Sequence, residues 1–70
     1  MNGMKISMKA ARVNAGLTQE EAARHLKLSK GTIASYENQK TRPSVEMAKQ
    51  IAKLYGVAFD DISFCEKVVL

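Results

Sequence analysis

Residues 18–38 read Thr18-Gln19-Glu20-Glu21-Ala22-Ala23-Arg24-His25-Leu26-Lys27-Leu28-Ser29-Lys30-Gly31-Thr32-Ile33-Ala34-Ser35-Tyr36-Glu37-Asn38. The opening four residues have capping-box form: the Thr18 hydroxyl can accept from the N–H of Glu21 while the Glu21 carboxylate reaches back to the N–H of Thr18. Two acids in the first turn also suit the positive end of a helix dipole. Ala22, Ala23 and Leu26 then mark an inner face, and the helix stops near Lys27, with Leu28 anchoring the turn. Ser29 is placed to cap a further helix whose inner face is Ile33, Tyr36 and Glu37, at three-to-four spacing. A carboxylate on an inner face calls for an explanation.

The punctuation continues outward from this stretch. Ser7 can cap a first helix that runs through Asn14 and Ala15, with Gly16 as its left-handed C′ residue. Beyond Asn38, residues 38–42 form a polar, basic loop, Pro43 disfavours helix immediately before it, and Ser44 can cap a fourth helix to Tyr55, ended by Gly56. Its expected apolar stripe is Val45, Ala48, Ile51, Ala52 and Leu54. Phe59 to Phe64 reads as a short fifth helix, with Phe59 and Ile62 folding back on the core. Residues 63–70 are ambiguous, since their β-branched and aromatic content would also suit an extended edge strand able to pair with its copy in a dimer. The expected class is therefore all-α, one bundle of about five short helices spanning residues 1–70, with a short extended C-terminal segment as a possibility.

The size is consistent with a single domain. The chain has 70 residues, 46% of them apolar, and folding at this length hides only about 60% of the surface the unfolded chain exposes. A deep solvent-excluded pocket would consume core that so short a chain cannot spare, which argues against an enzyme. The net charge is +4. Between Arg24 and Arg42 five lysines and arginines face Glu37 alone, so this middle third carries the whole excess, and a polyanionic partner fits it. Cys65 is the single cysteine, which excludes an intrachain disulfide and a zinc site built from cysteine pairs, and points to a reducing cytoplasm. Apolar runs reach only three residues, too short for a membrane span, so no membrane role is expected. His25 is the lone histidine and has no metal constellation around it; neither metal nor cofactor is expected. Met1, Met4, Met8 and Met47 read as a flexible N-terminus and core filling.

Two short helices joined by a tight turn, with small Ala23 where they cross and a polar, partly basic outer face on the second, have helix-turn-helix spacing over residues 19–38. From about residue 6 to residue 62 the chain resembles the phage Cro/repressor-type, Xre-like helix-turn-helix family, whose fold is the lambda-repressor-like DNA-binding domain. The resemblance rests on Arg12, Gly16 to Glu21, Ala23, Leu26, Leu28-Ser29, Thr32-Ile33, Tyr36-Glu37-Asn38, Lys40, Pro43-Ser44, Ile51-Ala52 and Gly56-Val57. The sequence departs from the pattern at Gln39 and Lys27, where the family often has glycine and where a positive φ is needed. Ala22 stands in place of a more common leucine.

The resemblance implies roles for particular residues. Arg12 and Glu37 would form a buried structural ion pair, which accounts for the inward carboxylate. Lys30, Gly31, Thr32 and Ser35 would face the bases of the major groove; lysine can donate to guanine O6 and N7 and serine can pair with several bases, while Gly31 has no side chain to read with. Thr18 and Gln19 at a helix N-terminus, and Asn38, Lys40 and Arg42 in the following loop, would contact phosphate. The competing roles are capping for Thr18 and Asn38 and a solvated surface for Lys30, Ser35, Lys40 and Arg42. The implied function is a DNA-binding transcriptional regulator, a repressor of bacterial or phage origin acting in the cytoplasm at the nucleoid. It would bind a double-stranded operator as a homodimer through the fifth helix and residues 63–70. The alternatives are an antitoxin or other protein-interaction module of the same fold, which would have a protein partner, and a fold that has lost DNA binding.

Overall fold

A computed structural model describes residues 5–64. The elements run β1 (Ile6–Ser7), α1 (Met8–Asn14), α2 (Gln19–Leu26), α3 (Lys30–Glu37), α4 (Val45–Tyr55), a 3-10 turn (Phe59–Asp61) and β2 (Ile62–Ser63). All four α-helices begin as the sequence predicts. Ser7, Thr18, Ser29 and Ser44 each accept, at 3.0–3.1 Å, from the backbone N–H three residues on. This satisfies one of the donors that a helix start leaves free.

The helix ends share one device. The N–H groups of Leu17, Leu28, Lys40 and Val57 each donate to the carbonyl five residues back. A left-handed residue at C′ makes this closure possible. Gly16 and Gly56 supply it with φ of 78° and 75°, whereas Lys27 and Gln39 adopt φ of 61° despite their side chains. The two departures from the family pattern therefore keep the turn and carry its backbone strain.

The core gathers Met8 and Ala11 from α1, Ala22, Ala23 and Leu26 from α2, Ile33 from α3, Ile51, Ala52 and Tyr55 from α4, and Ile62 from β2. Ala23 is buried to 3% exposure and lets α2 and α3 pack closely. Ala22, at 0%, is fully enclosed in the place of a larger residue. Met8 is buried and Met47 packs against the core. Met1, Met4 and Cys65 lie outside the described residues.

Four expectations need correcting. The fifth helix is a 3-10 turn of three residues, after which the chain extends as β2. The fold is accordingly not purely α: β2 pairs in parallel with β1, Ile6 opposite Ile62 and Ser7 opposite Ser63. Ile62 must reach the core, and the extended backbone that places it there finds its hydrogen-bond partner in the residues just ahead of α1. Of the two residues expected to fold back on the core only Ile62 is buried; Phe59 stays 37% exposed and packs its ring against Phe64, tilted by 31° with centroids 5.8 Å apart. Val45 is 65% exposed, so the buried α4 stripe is Ala48, Ile51, Ala52 and Tyr55, with Leu54 half-buried against the core. Val45 shares the face of Ala52 but lies at the exposed first position of the helix. Of the segment 63–70, Ser63 is extended, and residues 65–70 fall outside the described range.

Candidate nucleic-acid interface

The scaffold of the site is a buried polar cluster. Arg12 on α1 is 7% exposed as a residue, and its Nε donates to Glu37 Oε2 at 2.6 Å while Nη2 donates to Glu37 Oε1 at 3.2 Å. The Glu37 side chain, at the end of α3, is only 3% exposed. The third arm of the guanidinium, Nη1, donates to the Leu17 carbonyl at 2.8 Å and so holds the turn between α1 and α2. The planar fork of arginine suits this two-sided task better than the point charge of lysine. The hydrogen bond to Glu37, then its charge, raises the Arg12 pKa above the ordinary value against the opposing effect of burial.

Gln19 completes the cluster, and sequence reasoning missed this. Its Nε2 donates to Glu37 Oε1 at 3.0 Å, tying the first residue of α2 to the last of α3. The available signal was the inward carboxylate itself: two oxygens offer about four acceptor positions, more than one arginine edge fills. Tyr55 lies close enough to feel the pair. Burial first, and the Glu37 charge second, push its phenol up to about 12, and its buried hydroxyl has no hydrogen-bond partner among the described residues.

Outward from this cluster the proposed DNA-facing residues come together. Thr18, Gln19 and Lys30 line one open surface groove with Arg12, Leu17 and Glu20, so the N-terminus of α2 and the first turn of α3 share a face. Thr18 makes the full capping box: its N–H donates to Glu21 Oε1 at 2.9 Å and its Oγ1 accepts from the Glu21 N–H at 3.0 Å. The backbone hydrogen bond from Thr18 holds the Glu21 carboxyl below its ordinary pKa. Lys30 and Gly31 are exposed. A Cβ at Gly31 would meet only Ser29 Oγ, at 3.8 Å, so the helix surface there is bare by sequence and not by crowding. Thr32 is half-buried and its hydroxyl shares a 2.9 Å hydrogen bond with Ser29 Oγ, which commits it to the helix start.

At the other end of α3, the loop folds back. Lys40 N–H donates to the Ser35 carbonyl at 2.9 Å, and Thr41 Oγ1 donates to Ser35 Oγ at 3.1 Å. Asn38 is the C-cap, and Asn38, Lys40 and Arg42 are all exposed. His25 is exposed on α2. Among the described residues no group of three or more His, Cys, Asp or Glu is placed to hold a metal ion, and no helix is long and apolar enough to cross a membrane.

In the structure α2 and α3 stand across a three-residue break, clamped by Arg12 and Glu37, and comparison with known proteins matches the helix-turn-helix pattern of the sequence. A family model described as Helix-turn-helix matches residues 8–62. The chain belongs to the Cro/repressor-type helix-turn-helix family. This helix-turn-helix chain is 41% identical over 63 residues to an uncharacterized HTH-type transcriptional regulator of Methanocaldococcus jannaschii, covering 90% of the chain and 96% of that relative. Two uncharacterized HTH-type transcriptional regulators of Archaeoglobus fulgidus are 32% and 30% identical over 59 residues, each covering 84% of the chain and 83% or 84% of the relative. These three relatives are archaeal, whereas the sequence resemblance pointed to phage and bacterial proteins. No solved structure matches the chain.

Proposed function

We propose that the protein binds double-stranded DNA as a homodimer, lays α3 in the major groove, and regulates transcription, as a repressor that occupies promoter DNA. The observation that carries this reading is the shared face: Lys30, at the start of α3, stands on the same open groove as Thr18 and Gln19 at the start of α2. A helix N-terminus offers free backbone N–H groups and a positive dipole end to phosphate, while Lys30 beside it reaches a base edge. The Gln19 amide has two N–H donors; one is given to Glu37, and the second serves phosphate. Lys40 and Arg42, exposed on the loop beside α3, add phosphate contacts. With Gly31 bare, base reading falls on Lys30 and Ser35, and DNA shape supplies part of the specificity. A module this small buries limited surface on DNA, so a second copy supplies affinity and sets half-site spacing. The packed rings of Phe59 and Phe64 beside β2 provide apolar surface for that copy.

Selection of purified protein against a random duplex library at about 0.15 M salt, where screening suppresses weak electrostatic binding, tests the reading. One enriched motif with two inverted halves is the expected result, and no enrichment overturns it in favour of a protein-interaction module. Lys40→Ala and Arg42→Ala are expected to weaken all sequences alike and to flatten the dependence of log Kd on log salt by about one unit per contact. A loss confined to particular sequences would remove these two from the phosphate class.

A further inference from the structure

Ser35 is the outward residue of α3 whose chemistry is least defined by its type, because a hydroxyl can donate or accept and so matches either kind of base edge. The loop after α3 removes that freedom. Lys40 N–H holds the Ser35 carbonyl at 2.9 Å, which brings Thr41 over the helix, and Thr41 Oγ1 donates to Ser35 Oγ at 3.1 Å. Having accepted this bond, the Ser35 hydroxyl keeps its own proton to give, and accepting one hydrogen bond strengthens donation through the same group. Lys30, the other reader with a side chain, has donors and no acceptor. The reading face thus offers hydrogen to DNA at both positions.

We propose that Thr41 is a specificity-positioning residue: by donating to Ser35 Oγ it turns the Ser35 hydroxyl into a donor toward the bases. Ser35 then selects a base edge with an acceptor, namely guanine O6 or N7, adenine N7 or thymine O4. It selects against cytosine, whose major-groove group is the N4 amine, itself a donor. The inference rests on the DNA-binding reading above. Thr41 is exposed and outside the core, so its hydroxyl can be removed without touching the fold.

The test is selection from the same duplex library with the intact chain and with Ser35→Ala, Thr41→Val and Thr41→Ser, followed by competition between the selected site and its cytosine variant. Cytosine is expected to be depleted at one position, identified as the one whose preference Ser35→Ala abolishes. There it should weaken binding about three- to tenfold, the size of one neutral hydrogen bond. Thr41→Val, isosteric but without the hydroxyl, should bring cytosine close to parity at an unchanged Tm, and Thr41→Ser should restore the discrimination. A cytosine penalty that survives Thr41→Val overturns the proposal. So does a loss of affinity equal on all sequences, the mark of a phosphate or purely structural contact. A selected motif with no Ser35-dependent position overturns it while leaving DNA binding intact; no motif at all overturns both.

Discussion

Thr18 and Gln19 are adjacent in the chain, yet they enter polar clusters of opposite kind. Thr18 joins the capping box with Glu21, four groups in open solvent bonded to residues three apart. Gln19 turns inward to a carboxylate 18 residues away that is shared with Arg12 and almost wholly buried. The bonds these two residues make are alike in length, 2.9 and 3.0 Å for Thr18 and 3.0 Å for Gln19. The consequences differ because water can replace a lost partner in the first cluster and cannot in the second. The exposed cluster sets where a helix starts; the buried one sets how three helices stand relative to one another.

The largest effect is expected from Glu37→Ala, which strands the Arg12 guanidinium in the interior. A loss of about 3–5 kcal/mol in denaturant unfolding is expected, enough to unfold much of so small a domain. Changing both partners to methionine should recover most of that loss, since the cost lies in the unpaired charge. A double variant no more stable than the single one would show that the pair itself holds the fold. Gln19→Ala comes next at about 1.5 kcal/mol, the low end for a hydrogen bond to a charged group, and its far-UV helix content should stay unchanged because the cap on α2 is intact. Thr18→Ala, next door, should cost about 1 kcal/mol in the same assay, as helix caps do. A Thr18 effect larger than that of Gln19 would break the contrast between the clusters.

The smallest effect is a pH dependence carried by the exposed cluster. Glu21 has a folded pKa below its ordinary value, so its contribution is present above the unfolded pKa and is lost as pH falls through the folded one. Thermal unfolding between neutral and acid pH should therefore show a Tm decline in the carboxylate range that is reduced in Glu21→Gln. An identical decline in both proteins would remove Glu21 as a contributor.

Most of the helical frame was legible in the residues. Ser7, Thr18, Ser29 and Ser44 stand one residue ahead of each helix, and Gly16 and Gly56 stand just past two of the ends, because capping and left-handed termination are local and act within one turn. The positive φ at Lys27 and Gln39 was readable only against the family pattern, since neither residue type asks for it. Arg12 and Glu37 were likewise paired by resemblance, for nothing local links residues 25 apart. What escaped reading was non-local in each case. Two-residue strands are too short to show alternation, and β1 exists only because β2 lies beside it. Val45 has the right residue type for a core stripe and shares a helix face with buried Ala52, but it stands at the very start of α4, where it is left exposed.

Residue types alone were enough for the order and starts of the four α-helices, the glycine-ended stops of α1 and α4 and the basic middle third, because each depends on neighbours within a few positions. The family was legible from the pattern of residues along most of the chain. Tertiary structure alone decided that Gln19 serves Glu37, that Phe59 stays outside while Ile62 goes in, and that Thr41 reaches Ser35. These outcomes follow from which groups meet after the helices pack. A hydrogen bond across the fold is then chosen by geometry and by the cost of leaving a buried group unpaired, and neither is written in local spacing.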